Sequence, residues 1–211
     1  MIGIIDYGMG NLRSVQKAFE HLGAEARILT QPEEPGGVDR LVLPGVGAFA
    51  DGMVQLRQRG LIEPIIDFIR TDRPMLGICL GLQLLFEGSQ EDAPSDDEPV
   101  AGLGVLPGQV IRFQGEPFGP GRLKVPHMGW NTLACRHDDP LFTGQDEAPS
   151  VYFVHSYYAV PEDSTHIIAT TDYGLRFCSA VRRGPLQAVQ FHPEKSQRVG
   201  LRMLARFAGV S

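Results

Sequence analysis

The 211-residue chain has a net charge of -6 and 43% hydrophobic residues, which is typical of a soluble globular protein. Because no basic cluster is present, nucleic acid is not expected as its main partner. No apolar run approaches the length of a membrane span, and the N-terminus lacks the basic flank of a signal peptide. Three cysteines without Cys-x-x-Cys spacing argue against a disulfide framework and a zinc site. We therefore expect one cytoplasmic domain over residues 1–211, with no bound metal.

The first part of the chain has the pattern of a parallel sheet covered by helices. Short apolar runs predict strands at residues 2–6, 26–29, 40–43 and 75–78. Amphipathic stretches predict helices at 12–22 and 49–70, the second interrupted near Gly60 and Pro64. Asn11 and Gly23 are expected at the two ends of the first helix. In a sheet of this kind the reactive groups belong at the carboxyl ends of the strands.

The second part of the chain is richer in predicted strands. Residues 87–99 are polar and acidic, which predicts a solvated loop. Because this segment begins one helix after Cys79, a position over a site there is the alternative. Further strands are predicted at residues 104–113, 121–125, 151–154, 157–160, 166–171, 177–182 and 186–191, before a closing helix at 196–208. The sequence thus predicts an α/β fold with a largely parallel central sheet and additional antiparallel strands in its C-terminal half.

A cysteine lies at the junction of a predicted strand and a predicted helix. Cys79 has Gly77 and Gly81 two positions away on either side, which is the pattern of a nucleophile elbow with sulfur in place of a hydroxyl. Glycines suit this sharp turn because neighbouring side chains would clash. A thiol at a helix N-terminus favours its thiolate, and the amide of Leu80 would face an oxyanion on the substrate. The alternative is that Cys79 is a small buried core residue.

Two further segments would complete a site around Cys79. Residues 44–47, Pro-Gly-Val-Gly, follow a buried strand and leave backbone amides free for the second half of an oxyanion hole. His192 suits a base that accepts the thiol proton and returns a proton to a leaving amine. Pro193 favours an extended backbone at His192, so Glu194, two residues on, can reach the imidazole and fix its tautomer.

These segments resemble the class I glutamine amidotransferase family, in which ammonia is released from glutamine through a cysteinyl thioester. The motifs are Pro-Gly-Val-Gly at 44–47, Gly-Ile-Cys-Leu-Gly-Leu-Gln at 77–83 and His-Pro-Glu at 192–194. Segments 6–12, 126–131, 152–158 and 191–196 resemble more closely those members that supply ammonia to a separate synthase subunit. Segments 87–99 and 132–150 match no pattern of the family. The resemblance implies a flavodoxin-like fold and no cofactor.

The resemblance also assigns roles to individual residues. The implied triad is Cys79 as nucleophile, His192 as acid and base, and Glu194 as the group that orients it. The implied oxyanion hole uses the amide of Leu80 and the Val46–Gly47 peptide. The residues implied to hold glutamine are Gln83, Glu91, Ser156 and Tyr157. Those implied to face the partner, a (βα)8-barrel cyclase subunit, are Asn11, Tyr152 and Lys195.

The remaining candidate groups are expected to be mainly structural. Cys178 and Cys135 are predicted to be inert, and Trp130 is predicted to pack rather than to contact a ligand. His127 and His155 are equally compatible with shaping the site and with filling the interior. Two alternatives stay open for the whole chain: a glutaminase that serves a different synthase, and a non-catalytic subunit of the same fold.

Overall fold

The computed structural model describes residues 1–95 and 98–210. The strands are β1 (Ile2–Ile5), β2 (Ala26–Leu29), β3 (Arg40–Gly45), β4 (Met75–Cys79), β5 (Phe86–Ser89), β6 (Val100–Ala101), β7 (Leu106–Arg112), β8 (His127–Thr132), β9 (Ala134–Cys135), β10 (Ser150–His155), β11 (Tyr157–Pro161), β12 (Ile167–Asp172), β13 (Arg176–Arg183) and β14 (Leu186–Val189). The α-helices are α1 (Leu12–His21), α2 (Phe49–Gln58), α3 (Ile62–Arg70), α4 (Leu80–Leu84) and α5 (Gln197–Ala208).

An eight-stranded central sheet organises these elements in the order β2-β1-β3-β4-β14-β13-β12-β9. The strands from β2 to β14 pair in parallel, and β13, β12 and β9 continue the sheet antiparallel. This is the predicted fold class. The carboxyl ends of β3, β4 and β14 are neighbours, so the residues that follow them in the sequence converge at one edge of the sheet.

Both faces of β1, β3, β4 and β14 are buried, which explains their largely apolar sequences, whereas the edge strand β2 exposes Arg27. Successive side chains point to opposite faces, so Met75 packs into the cluster that contains α2 and α3, whereas Leu76 packs into the cluster that contains α1 and α5. Each helix supplies an apolar stripe to its side. In α1 this stripe is formed by Val15, Ala18 and Phe19.

Two smaller sheets cover the carboxyl edge of the large one. β8 and β10 form an antiparallel pair, in which Trp130 lies opposite Tyr152 and Met128 opposite Val154. β11, β7, β5 and β6 form a four-stranded sheet. Within residues 1–95 and 98–210, no helix is long and apolar enough to cross a membrane.

The structure corrects several predicted boundaries in the first part of the chain. Pro64 does not interrupt a helix, because it lies in the first turn of α3, where its missing N–H is not needed. The interruption near Gly60 is confirmed between α2 and α3. Asn11 lies at the N-cap position of α1, but its side chain makes no capping hydrogen bond.

Residues 86–99 and 121–125 also differ from their predictions. Phe86 does not continue a helix but begins β5, and Gly88 and Ser89 are buried in that strand, so the polar segment is not a solvated loop from its start. Asp96 and Asp97 of the same segment lie outside the described residues. Residues 121–125 form no strand; only a single bridge pairs Leu123 with Phe118. β8 was not predicted, because only two of its six residues are strongly apolar.

Candidate active site

Cys79 ends β4 in a strained turn at the carboxyl edge of the sheet. Its φ of 55° and ψ of -107° are unusual for a residue with a side chain. The flanking glycines are required by close packing: a Cβ on Gly81 would overlap the carbonyl oxygen of Leu43, and one on Gly77 would lie 2.9 Å from the carbonyl oxygen of Gly81. α4, which begins at Leu80, has only five residues, so its dipole is small.

His192 and Glu194 form a buried pair immediately after β14. Nδ1 of His192 lies 2.8 Å from Oε1 of Glu194, and their side chains are 2% and 1% exposed. The backbone of His192 is extended, as predicted, whereas Glu194 lies in a single 3-10 turn, Pro193–Lys195. A carboxylate can only accept, so Nδ1 carries the proton and donates it to Glu194. Nε2 of His192 is buried and has no hydrogen-bond partner among the described residues.

The charge state of His192 depends on its two acidic neighbours. Burial lowers the pKa of the imidazole, but its interactions with the Cys79 thiolate and the Glu194 carboxylate outweigh burial and raise the pKa to about 10. The protonated form of His192 is therefore favoured near neutral pH. This arrangement activates a sulfur nucleophile and keeps a proton ready for a leaving group.

A cavity of about 280 Å³ opens in front of Cys79. Its walls contain the predicted residues Val46, Gly47, Cys79, Leu80, Gln83, Glu91, Ser156 and Tyr157, and also Pro126, Val154 and His155. The volume suits a small polar molecule such as an amino acid. Within the described part of the chain, no group of three His, Cys, Asp or Glu side chains is arranged to hold a metal ion.

The two predicted parts of an oxyanion hole meet at this cavity. Gly45, at the end of β3, is paired with Cys79, at the end of β4, so the following residues Val46–Gly47 and Leu80 lie side by side. Gly47 has a φ of 102°, which a residue with a side chain rarely adopts. The amide of Leu80 belongs to the first helical position of α4, where an N–H has no partner within the helix.

Glu91 ties the polar segment to the mouth of the cavity. Its Oε2 accepts a hydrogen bond of 2.8 Å from the amide of Phe49, the first residue of α2. Burial raises the pKa of Glu91, although the Phe49 amide opposes this shift. At Glu91 the polar segment therefore lines the cavity, which agrees with the alternative and not with a fully solvated loop. One oxygen of its carboxylate remains for a cationic group of a ligand.

The backbone at Ser156 and Tyr157 is already partly engaged by the protein. The carbonyl of Ser156 accepts from the amide of Phe113 at 3.0 Å, and the carbonyl of Tyr157 accepts from Nε2 of Gln83 at 3.0 Å. A ligand at this wall would therefore meet amide groups and side chains rather than these two carbonyls. Gln83 is buried, and its side-chain nitrogen donates hydrogen bonds within the protein, so its side-chain oxygen remains as an acceptor.

His127 and His155 form a directed chain of hydrogen bonds behind the cavity. Nδ1 of His155 lies 2.8 Å from the carbonyl of Tyr157, and its Nε2 lies 3.1 Å from Nδ1 of His127. Because a carbonyl only accepts, His155 donates through Nδ1 and accepts at Nε2 from His127. Nδ2 of Asn131 lies 3.3 Å from Nε2 of His127 and completes the chain. The sequence signalled these residues only through their motifs, and the structure shows that His155 also lines the cavity.

Burial keeps both imidazoles neutral: it lowers the pKa of His127 to about 4 and that of His155 to about 3. The unfolded chain binds protons at these sites from about pH 6.5 downwards, so the free energy of unfolding falls as the pH drops from 6.5 towards 4. We expect His127→Asn to reduce the proton uptake on unfolding in this range by about one proton. Urea unfolding at several pH values measures this slope, with exposed His137→Asn as the control. An unchanged slope in His127→Asn would contradict the prediction.

Tyr152 and Lys195, predicted to face a partner, are neighbours. Nζ of Lys195 lies 6.0 Å from the centre of the Tyr152 ring, which in turn packs edge-on against Trp130. Asn11 is exposed at the start of α1, which packs against the 3-10 turn that contains Lys195. Trp130, which was predicted to pack rather than to contact a ligand, packs against Tyr152 but leaves 49% of its surface exposed. Met128, next to it on the same face of β8, is 62% exposed.

Cys135 and Cys178 do not contribute to the cavity. Burial raises the pKa of each thiol to about 12, so neither is activated as a nucleophile. Their predicted inertness agrees with these environments. Cys79 is thus the one cysteine among the described residues that lies in both a nucleophile elbow and the cavity.

The fold, the elbow and the buried His–Glu pair define a class of protein. The chain belongs to the class-I glutamine amidotransferase family, whose model matches residues 3–209. The imidazole glycerol phosphate synthase subunit HisH of Syntrophotalea carbinolica is 55% identical to it over the whole of both chains. The protein of the same name from Geobacter sulfurreducens is 51% identical over 98% of this chain and 97% of its own. A crystal structure of a glutamine amidotransferase shares the fold, with a TM-score of 0.72 and 21% identity over 99% of both chains.

Proposed function

We propose that this chain is the glutaminase subunit of an imidazole glycerol phosphate synthase. It hydrolyses L-glutamine to glutamate and ammonia and passes the ammonia to a (βα)8-barrel cyclase subunit in a heterodimer. The cyclase joins ammonia to PRFAR and forms imidazole glycerol phosphate and AICAR in histidine biosynthesis. Residues 1–211 form one cytoplasmic domain that needs neither metal nor organic cofactor. The observation that carries the proposal is the Cys79–His192–Glu194 arrangement at the cavity of a chain 55% identical to a HisH subunit over its full length.

The reaction begins with the transfer of the Cys79 proton to Nε2 of His192. The thiolate attacks the side-chain amide carbon of glutamine, and the negative charge that develops on oxygen is stabilised by the amides of Leu80 and of the Val46–Gly47 peptide. His192 then gives its proton to the departing nitrogen. Ammonia leaves, and a thioester remains on Cys79. Water attacks the thioester with His192 as base, and glutamate leaves. Glu194 holds the imidazole in the required tautomer throughout.

Four residues hold the substrate in this proposal. The second carboxylate oxygen of Glu91 accepts from the α-ammonium group of glutamine, because Glu91 lines the cavity and its other oxygen is already bonded to the amide of Phe49. The oxygen of Gln83 and the backbone amides at Ser156 and Tyr157 contact the rest of the molecule. The carbonyls of Ser156 and Tyr157 and the side-chain nitrogen of Gln83 are already hydrogen bonded within the protein. This supports a role in binding for the Gln83 oxygen and the two backbone amides.

The cyclase subunit binds at Asn11, Tyr152 and Lys195. These residues lie at the carboxyl edge of the sheet, and two of them are in contact distance of each other beside exposed Trp130. A large aromatic with half of its surface exposed is common in a protein interface and costly in water. The surface is close to the cavity along the same strand, since Tyr152 and Val154 belong to β10.

The isolated chain is expected to hydrolyse glutamine slowly, because ammonia released without an acceptor is wasted. The oxyanion donor lies in a peptide next to Gly47, whose backbone freedom permits two orientations of that peptide. Glutamate formation is measured with the chain alone, with the cyclase, and with cyclase and nucleotide together. A large rise is expected on adding both, and full activity of the chain alone with no rise would contradict the proposal.

Two further experiments address the alternative functions. Restoration of growth of a histidine auxotroph that lacks its own glutaminase subunit separates this function from service to a different synthase. Covalent trapping of Cys79 by a glutamine analogue separates an active glutaminase from a non-catalytic subunit. Growth without histidine and a trapped Cys79 are the expected results, and the absence of either contradicts the corresponding part of the proposal.

A further inference from the structure

A buried glutamine, Gln190, lies next to the sulfur of Cys79 and has no role in the mechanism proposed above. Gln190 follows β14, two residues before His192, and its side chain is fully buried. Its Nε2 lies 3.7 Å from Sγ of Cys79. Its own backbone amide donates to the carbonyl of Ser179 at 2.9 Å, which fixes the main chain at this position. The end of β14 therefore presents two side chains to the same sulfur.

The orientation of the Gln190 amide follows from its neighbours. The carbonyl of Tyr157 can only accept, so the group of Gln83 that contacts it must be the NH₂ group. The same NH₂ group lies 3.1 Å from the Gln190 side chain and donates to it, so the Gln190 atom there is the oxygen. The NH₂ group of Gln190 must then face Cys79. The backbone carbonyl of Tyr157 thus fixes the orientation of the side-chain amides of Gln83 and Gln190, and the NH₂ group of Gln190 faces the sulfur.

We propose that Gln190 is a catalytic residue, which stabilises the thiolate of Cys79 by donating an amide hydrogen to it while Gln83 fixes its orientation. The inference rests on the proposed function, in which Cys79 is the nucleophile. When the thiol proton moves to Nε2 of His192, the electron pair stays on sulfur and the Gln190 amide keeps its own hydrogens. Hydrogen bonds to a charged atom are stronger than those to a neutral one, so this contact favours the thiolate.

The contact changes in strength during the reaction. Formation of the thioester removes the charge from sulfur, so Gln190 acts on the free nucleophile rather than on the acyl intermediate. The alternative partner of the sulfur is the carbonyl of Val154, 3.9 Å away, which can accept from a thiol but cannot stabilise a thiolate. Gln190 therefore supplies a hydrogen-bond donor to the sulfur, which stabilises the thiolate more than the thiol.

The ionisable groups around the sulfur are few among the described residues. Cys79 and Glu194 both raise the pKa of His192, and His192 in turn is coupled to His155. Tyr7, whose buried hydroxyl lies at the end of β1, is the other group whose charge is coupled to Cys79, and burial keeps its phenol protonated by raising its pKa. A change in the ionisation of Cys79 on replacing Gln190, which carries no charge, is therefore a direct effect of the lost hydrogen bond.

The test is the pH dependence of Cys79 alkylation by iodoacetamide, followed by mass spectrometry of the peptide that contains Cys79. Gln190→Leu is expected to raise the midpoint of this profile by about one pH unit, since a hydrogen bond to a charged group is lost. Gln187→Leu is the matched control, because Gln187 is a nearly buried glutamine on β14 itself whose side-chain oxygen has no partner among the described residues. Its midpoint is expected to equal that of the wild type.

A midpoint that rises in Gln190→Leu alone supports the proposal, whereas equal midpoints in all three proteins, or equal shifts in both variants, overturn it. If Gln190→Leu does not fold, the side-chain NH₂ signals of Gln190 in ¹⁵N-labelled wild type replace it, assigned with Gln190→Glu. They are expected to shift when Cys79 is alkylated, and unchanged signals overturn the proposal. Absence of glutaminase activity in wild type would instead refute the proposed function, because iodoacetamide needs no substrate site.

Discussion

Cys79→Ala is expected to lower the rate of glutamine hydrolysis by more than about 10⁴-fold, because the sulfur forms the covalent intermediate and no other group replaces it. The variant should fold normally, since alanine fills most of the volume of the thiol. Binding of glutamine should persist, because the proposed binding groups Glu91 and Gln83 are unchanged. The measurement is glutamate formation by the complex with the cyclase, together with glutamine binding by calorimetry.

Cys178→Ala is the matched control for this variant. Cys178 is a buried thiol in β13, outside the cavity, so its replacement should affect stability slightly and the turnover rate not at all. Trapping by a glutamine analogue should label Cys178→Ala and fail with Cys79→Ala. Residual turnover above about 10⁻⁴ of the wild-type rate in Cys79→Ala would contradict the expectation that no other nucleophile performs the chemistry.

Gly81→Ala is expected to destabilise the protein by more than about 3 kcal/mol, or to prevent folding, because the added methyl group would overlap the Leu43 carbonyl. Neither atom can move freely: Leu43 belongs to β3, which is hydrogen bonded to β1 and β4. The free energy of unfolding in urea measures the effect.

Gly36→Ala provides the comparison for this substitution. Gly36 lies in the 3-10 helix Glu34–Gly37, and a Cβ there would meet nothing within 4 Å. Its replacement should leave stability unchanged or raise it slightly by restricting the unfolded chain. Equal effects of the two substitutions would show that the close approach of the elbow to β3 does not limit this fold.

Those parts of the site that depend on neighbours in sequence could be predicted. Cys79 with its glycines is a local pattern, and Glu194 reaches His192 across two residues. The contacts of Gln190 with Gln83 and Cys79 could not be predicted, because they cross 107 and 111 positions of the chain. No periodicity within a short window contains such information.

The errors in the fold prediction have similar physical causes. Apolar residues at 121–125 suggested a strand, but Gly119 and Gly121 adopt positive φ angles and turn the chain instead. The polar and acidic composition of residues 87–99 suggested a loop, yet Gly88 and Ser89 pack in β5 because tertiary contacts with β6 and β7 outweigh a weak local preference. Strand propensity depends on such neighbours, which the sequence alone does not place.

A chain of hydrogen bonds runs from Asn131 through the imidazoles of His127 and His155 to the Tyr157 carbonyl. It affects the protonation of the ammonia that the proposed reaction releases. This chain begins at an amide and ends at a carbonyl, and neither group exchanges a proton readily, so it cannot conduct one. Both rings are uncharged at physiological pH and have no acidic hydrogen to give. Ammonia formed against this wall would therefore receive no proton from these two rings before it departs.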